Sequence, residues 1–189
     1  MSRADILKTL AVTVVFLLFI PLFQSMAFQN STNGKISIER DIKAPFLPYS
    51  DKKFSLIFFG YYGCADVCTP FLQKLGTIYD SYEFKSYKKE VDIYFINLNP
   101  EVKKHNPDEF AKYFNTDFKG IYLSKDEIMA IDREFGLYHT ASLRDKNEIN
   151  HTDNLYLLER NGIDLKLKRI YFNKSLNSEL LIEDIKTKH

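Results

Sequence analysis

Two short stretches, Phe54-Ser55-Leu56-Ile57-Phe58-Phe59 and Val91-Asp92-Ile93-Tyr94-Phe95-Ile96-Asn97-Leu98, are apolar at most positions without regular alternation. A strand buried on both faces reads this way, and such strands belong mainly to parallel sheets covered by helices on each side. Between them, Phe71, Leu72, Leu75, Ile78 and Tyr79 recur at helical spacing behind Pro70. These three segments predict a parallel β-α-β unit with Phe58, Ile93 and Phe95 in its core.

The remaining segments extend that unit. Asn106-Pro107-Asp108-Glu109 combines a cap residue, a proline for the first turn and acids near a helix N-terminus, so a helix starts there. Ser124-Lys125-Asp126-Glu127 is a capping box opening a further helix, which Gly136 ends. Leu155-Tyr156-Leu157-Leu158 predicts another strand with Leu157 buried, and Asn161-Gly162 a two-residue turn returning through Ile163 to Phe172. Leu176 to Ile185 closes the chain as an amphipathic helix. Strand, helix, strand, helix, then a hairpin and a last helix is the order of a thioredoxin-like α/β fold, a central mixed sheet flanked by helices.

The N-terminus is of a different kind. Arg3 and Lys8 precede a run from Leu10 to Phe23 broken only by Thr13 and Pro21. A positive flank followed by an apolar segment reads as an export signal. Ser25-Met26-Ala27 suits cleavage, whereas Thr9 to Phe28 approaches the roughly 20 residues of a membrane span. The expectation is a leader over residues 1–28, cleaved or kept as an anchor, a polar linker over 29–50 containing Pro45 and Pro48, and one domain over 51–189. The positive flank places that domain outside the cytoplasm, on the periplasmic side of an inner membrane, with the N-terminus as its link to the membrane. The leader holds Arg3, Lys8 and Asp5, so the rest of the chain has no net charge. That balance lacks the basic surplus of a nucleic-acid binder, and no nucleic-acid partner is expected.

Both cysteines, Cys64 and Cys68, fall where the first apolar stretch gives way to the helix, in Gly60-Tyr61-Tyr62-Gly63-Cys64-Ala65-Asp66-Val67-Cys68-Thr69-Pro70. Thiols beside a helix N-terminus are biased towards thiolate by its unpaired N–H groups and its dipole. Thiolates bind soft metals and attack disulfides. On a helical turn the two Cα atoms would be about 6 Å apart, within the roughly 6.8 Å reach of a disulfide. In an oxidising space the pair is expected to form that disulfide unless a metal or a reductant holds it. Of the four histidines, His105 lies in a charged loop and His189 is terminal, and both read as surface residues; His139 is ambiguous. His151 stands in Ile149-Asn150-His151-Thr152-Asp153-Asn154, just before the strand at Leu155, in a loop that faces the cysteine loop in a thioredoxin-like fold.

The cysteine segment resembles the copper loop of the Sco/SenC family, and His151-Thr152 followed by Tyr156-Leu157 and Asn161-Gly162 is similar to that family's second signature. The resemblance runs from about Phe54 to Tyr171. It implies a thioredoxin-like fold and a copper site made by Cys64, Cys68 and His151. The implied role is copper delivery to, or thiol reduction of, the copper centre of cytochrome c oxidase. Partners would be the oxidase copper subunit or another copper protein, with an extracytoplasmic thiol–disulfide oxidoreductase using the same cysteine pair as the alternative. The chain departs from the pattern at Ala65, where the family usually has proline, and at Asn99-Pro100-Glu101, where it usually has Asp-Pro. No proline follows Pro107, so the active-site proline of thioredoxins is missing, and His151 lies about where it would be. Two thiolates and an imidazole suit Cu(I), and Cu(II) would add a fourth donor, for which Asp66 is nearest unless it only orients the loop. Such a site is expected to be shallow and open, so that its metal can be released.

Overall fold

The computed structural model describes residues 34–141 and 149–186, with Lys8, Thr13, Val15, Phe19 and Ile20 as isolated positions before them. The expected leader lies almost entirely outside the described residues. No helix among those described is long and apolar enough to cross a membrane. The chain divides into two compact units, Met1–Lys35 and Ile36–His189.

The second unit is built on β2 (Phe54–Gly60) and β3 (Val91–Asn97), which pair in parallel with Phe54 opposite Val91 and Gly60 opposite Asn97. Every residue of both strands is buried. β7 (Asn154–Asn161) lies antiparallel on the other side of β2, and β8 (Asp164–Phe172) antiparallel to β7. With β1 (Lys35–Ile42) and β4 (Lys119–Tyr122), the sheet order is β1-β8-β7-β2-β3-β4. β2 is therefore central, as its unbroken apolar character predicts. A separate pair, β5 (His139–Ala141) and β6 (Ile149–His151), runs antiparallel.

Because side chains alternate along a strand, β2 feeds two cores. Phe54, Leu56 and Phe58 pack with Ile93, Phe95 and Leu157 beneath α1 (Cys68–Tyr79) and α4 (Ser178–Lys186), and Ala111 of α2 (Asn106–Phe114) joins them. Ile57 and Phe59 point the other way, onto Ile128, Ile131 and Phe135 of α3 (Lys125–Phe135). The four residues predicted as core, Phe58, Ile93, Phe95 and Leu157, are at most 2 % exposed. The thioredoxin-like α/β architecture is what the sequence order implies.

Several local expectations change. Residues 29–50 are not a linker throughout, because Lys35–Ile42 forms edge strand β1 and Ile42, Ala44 and Leu47 are buried in the α3-side core. The hairpin turn is Gly162-Ile163 and not Asn161-Gly162, since Asn161 pairs with Asp164. Gly162 has φ 62°, which places the left-handed residue first in the turn. α1 begins at Cys68, two residues before Pro70, and His105 is the residue that precedes α2. The capping box at Ser124 forms as predicted, with Glu127 N–H on the Ser124 hydroxyl and the Glu127 carboxylate on Ser124 N–H.

Gly120 of β4 lies directly against the first turn of α2: a Cβ there would be 1.9 Å from the Pro107 carbonyl oxygen and 2.4 Å from Asp108 N. Both obstacles are backbone, so no side-chain rotation relieves the overlap. Gly120→Ala should destabilise the domain by about 3 kcal/mol or more, read as a lower midpoint in denaturant unfolding. A midpoint unchanged from the parent chain would contradict this packing.

Candidate metal centre

The C-terminal end of β2 builds the site. At Gly60 the strand stops and Tyr61–Cys64 form a turn, with Cys64 N–H donating to the Tyr61 carbonyl at 3.2 Å. Gly63 occupies the third turn position at φ 85°, which favours glycine. The chain then enters α1 without a side-chain cap at Val67. What accepts an N–H there is sulfur: Cys68 N–H points at Cys64 Sγ, 3.3 Å away. Thr69 locks the turn from the other side, its N–H at 3.2 Å and its hydroxyl at 2.9 Å from the Cys64 carbonyl.

Gly60 matters to this geometry for space. A Cβ at Gly60 would sit 2.7 Å from Cys68 Sγ and 2.9 Å from the Phe95 ring. Any larger residue displaces that sulfur.

His151 arrives from the small sheet, as the last residue of β6 and opposite His139 in register. It is thus a strand residue where the sequence predicts a loop. Thr152 N–H donates to the Tyr138 carbonyl at 3.0 Å, and Tyr138 N–H to the Thr152 hydroxyl at 3.1 Å, which fixes the strand end. The imidazole Nδ1 lies 3.0 Å from the Thr152 carbonyl, which can only accept, so Nδ1 carries a proton and Nε2 is the nitrogen turned towards the sulfurs. Nε2 is 3.7 Å from Cys68 Sγ. Tyr61 and Phe58 meet the ring edge-on, with centroids 6.0 and 6.3 Å away.

Cys64, Cys68 and His151 thus converge: Sγ, Sγ and a ring nitrogen lie within 4.8 Å of one another. Two ligand atoms sharing an ion at roughly 2.0–2.3 Å each are at most about 4.6 Å apart, so the donors stand close to coordination spacing. Among the described residues no other group of three such ligands forms. Asp66 is exposed and does not join. His105 is exposed at the start of α2, the side chain of His139 lies outside the described residues, and so does His189. The two cysteines are free thiols, so the expected disulfide is not formed in this structure. Nor is the site shallow. Cys64 is 3 % and Cys68 0 % exposed, both within the core cluster that holds Phe58 and against which Tyr61 packs, and His151 is the half-buried member.

The two thiols divide one proton unequally. Hydrogen bonding from the Cys68 thiol draws the Cys64 pKa far below the ordinary thiol range, against the effect of burial. Cys68, facing that thiolate in a buried setting, is pushed up. Burial works against a charged His151, yet its hydrogen bonds to the Cys64 thiolate and to the Thr152 carbonyl raise its pKa overall.

Asn97 and Thr69 complete the site, and sequence reasoning passed over both as site residues. Asn97, 0 % exposed, accepts Tyr62 N–H at 2.9 Å. A polar residue ending an apolar strand was the available signal. Asn99 uses its side chain locally, accepting Glu101 N–H at 3.0 Å, a turn that asparagine and aspartate can both make.

The family model for SCO1/SenC matches residues 49–188. The chain belongs to the SCO1/SenC family. A SCO2-like protein of Rickettsia felis is 27 % identical over 150 residues, covering 76 % of this chain and 66 % of the relative. Among solved structures, copper-bound ScoI of Arabidopsis thaliana superposes with a TM-score of 0.62 at 19 % identity, over 81 % of this chain and 99 % of that one. BsSco, a Sco-family cytochrome c oxidase assembly protein with a disulfide switch, gives 0.58 at 16 % identity over 80 % and 94 %. These structural likenesses establish the fold. The chain spans about half to two thirds of the first relatives it matches in sequence.

If Cys68 supplies the hydrogen bond that holds Cys64 as thiolate, Cys68→Ala should raise the pH at which Cys64 ionises. A pH titration of thiolate ultraviolet absorbance on the metal-free domain reads this directly. An unshifted Cys64 transition in that variant would assign the thiolate to some other cause.

Proposed function

We propose that this protein is a copper metallochaperone of respiratory oxidase assembly, binding copper as its cargo through Cys64, Cys68 and His151. The observation that carries the reading is the convergence of two sulfurs and an oriented Nε2 within 4.8 Å, in a family that includes copper-bound members. The donor set fits the ion: Cu(I) prefers thiolate, accepts imidazole and tolerates few ligands. Structural zinc takes four closed ligands, and the cluster offers three. The hydrogen bond from Cys68 holds the Cys64 thiol well below the ordinary thiol range, which favours the thiolate that metal binding needs.

The acceptor follows from the family. BsSco is a cytochrome c oxidase assembly protein, and the proposed recipient here is the copper centre of such an oxidase. The proposed setting is extracytoplasmic, supported by the export-like segment Leu10 to Phe23 behind Arg3 and Lys8. The leader of residues 1–28 serves as signal or anchor. In that oxidising space the metal-free cysteine pair is expected to form an intramolecular disulfide, which a dithiol reductant, itself oxidised to a disulfide, must return to two thiols before copper binds.

Metal titration of the reduced domain tests the reading. One Cu(I) should bind per chain. Cys64→Ser or Cys68→Ser should abolish tight binding, because a hydroxyl does not replace a thiolate. His151→Ala should leave a weaker two-sulfur Cu(I) site and lose Cu(II) more completely, since Cu(II) relies more on imidazole. His105→Ala should change nothing. Intact copper affinities in His151→Ala, together with high reductase activity on a model disulfide, would replace this reading with the thiol–disulfide oxidoreductase.

A further inference from the structure

The buried amide of Asn97 has no place in the ligand set, yet it joins the two loops at the mouth of the site. Asn97 is the last residue of β3, opposite Gly60, where the sheet ends and the cysteine loop begins. Its Oδ1 accepts Tyr62 N–H at 2.9 Å, and its Nδ2 donates to the Asn99 carbonyl at 2.5 Å. Tyr62 is the second residue of the Tyr61–Cys64 turn. Gly63 at φ 85° follows it, and Cys64 N–H closes the turn on the Tyr61 carbonyl. With φ positive only at its third position, this is a type II turn. Its first residue sets a ring against His151, and its last is the Cys64 donor.

The second loop is fixed as well. Asn99 accepts Glu101 N–H at 3.0 Å, and the Tyr122 hydroxyl donates to the Pro100 carbonyl at 2.9 Å. The Tyr62 ring leans on Phe110 of α2, 5.6 Å between centroids. Asn97 is therefore the side chain through which the 99–101 segment and the cysteine turn share one frame. At this position the contact needs an acceptor and a donor on one planar group of this length. Leucine has the volume and neither function, and serine is too short.

We propose that Asn97 is a positioning residue for the metal centre, holding the turn that presents Cys64 to Cys68 and His151. The role builds on the copper reading for one of its two readouts and is independent of it for the other.

The experiment compares the full chain with Asn97→Leu, Asn97→Ser and, as a control for general loss of stability, Ile185→Ala, on the buried face of α4. In the metal-free protein, amide hydrogen exchange at Tyr62 should accelerate by about tenfold or more in both Asn97 variants, the scale of one lost buried hydrogen bond, and stay unchanged in Ile185→Ala. In the copper-loaded protein, both Asn97 variants should shift the thiolate–Cu(II) charge-transfer band and weaken Cu(I) binding by about tenfold, while the control keeps the parent spectrum. If Asn97→Leu does not fold, Asn97→Ser decides. Parent-like exchange at Tyr62 in the Asn97 variants overturns the proposal, as does a parent-like spectrum and affinity alongside faster exchange. A parent chain that binds no copper overturns the chaperone reading instead, and the exchange comparison then decides the role of Asn97 alone.

Discussion

The site rests on a helix that starts without a side-chain oxygen to cap it. Helix N-termini leave N–H groups unpaired, and serine, threonine, aspartate or asparagine normally answers them. Here Val67 stands at the cap position, and the Cys68 N–H turns to Cys64 Sγ. The same unpaired groups and the helix dipole that need an acceptor also favour sulfur in its anionic form. The capping N–H thus adds to the hydrogen bond from the Cys68 thiol in favouring a Cys64 thiolate. The strand before it sets where that interaction occurs: β2 is central, fully buried and ends in a glycine that leaves Cys68 Sγ room against the sheet.

The three donors are carried by different parts of the fold. Cys64 and Cys68 belong to the β2–α1 junction of the main sheet, whereas His151 ends a strand of the separate β5–β6 pair. The sulfurs are almost wholly covered and the imidazole is half-buried. His151 and Tyr61 are thus the more accessible side of the site, and the sulfurs its covered side.

Much of this was legible in the sequence, for a reason that can be stated by residue. The unalternated runs at Phe54 and Val91, on either side of a helical pattern, suit strands covered on both faces, so the parallel core was legible, and cap and turn residues supplied the order of the rest. Cys64, Cys68 and His151 were legible because a strand–loop–helix junction has few positions facing its site, and the resemblance supplied the histidine's role. The short strands were not. β4 is Lys-Gly-Ile-Tyr and β1 is Lys-Ile-Ser-Ile-Glu-Arg-Asp-Ile, with Glu39 at φ 55°, sequences whose strand state comes from sheet neighbours and not from their own pattern. The burial of the sulfurs was illegible for the same kind of reason, since it comes from tertiary packing into the core cluster beneath α1. Asn97 was hidden inside an apolar run, where a single polar residue signals a partner without saying which.

The central claim is that two sulfurs and one imidazole of this chain hold the same copper ion. X-ray absorption on the domain loaded with one equivalent of Cu(I) tests it most directly, because sulfur and histidine nitrogen scatter distinguishably around the metal. The account predicts a three-coordinate ion with two sulfur neighbours and one imidazole, the imidazole contribution disappearing in His151→Ala. A copper bound by sulfur alone in the parent chain, with the spectrum unchanged by His151→Ala, would contradict it.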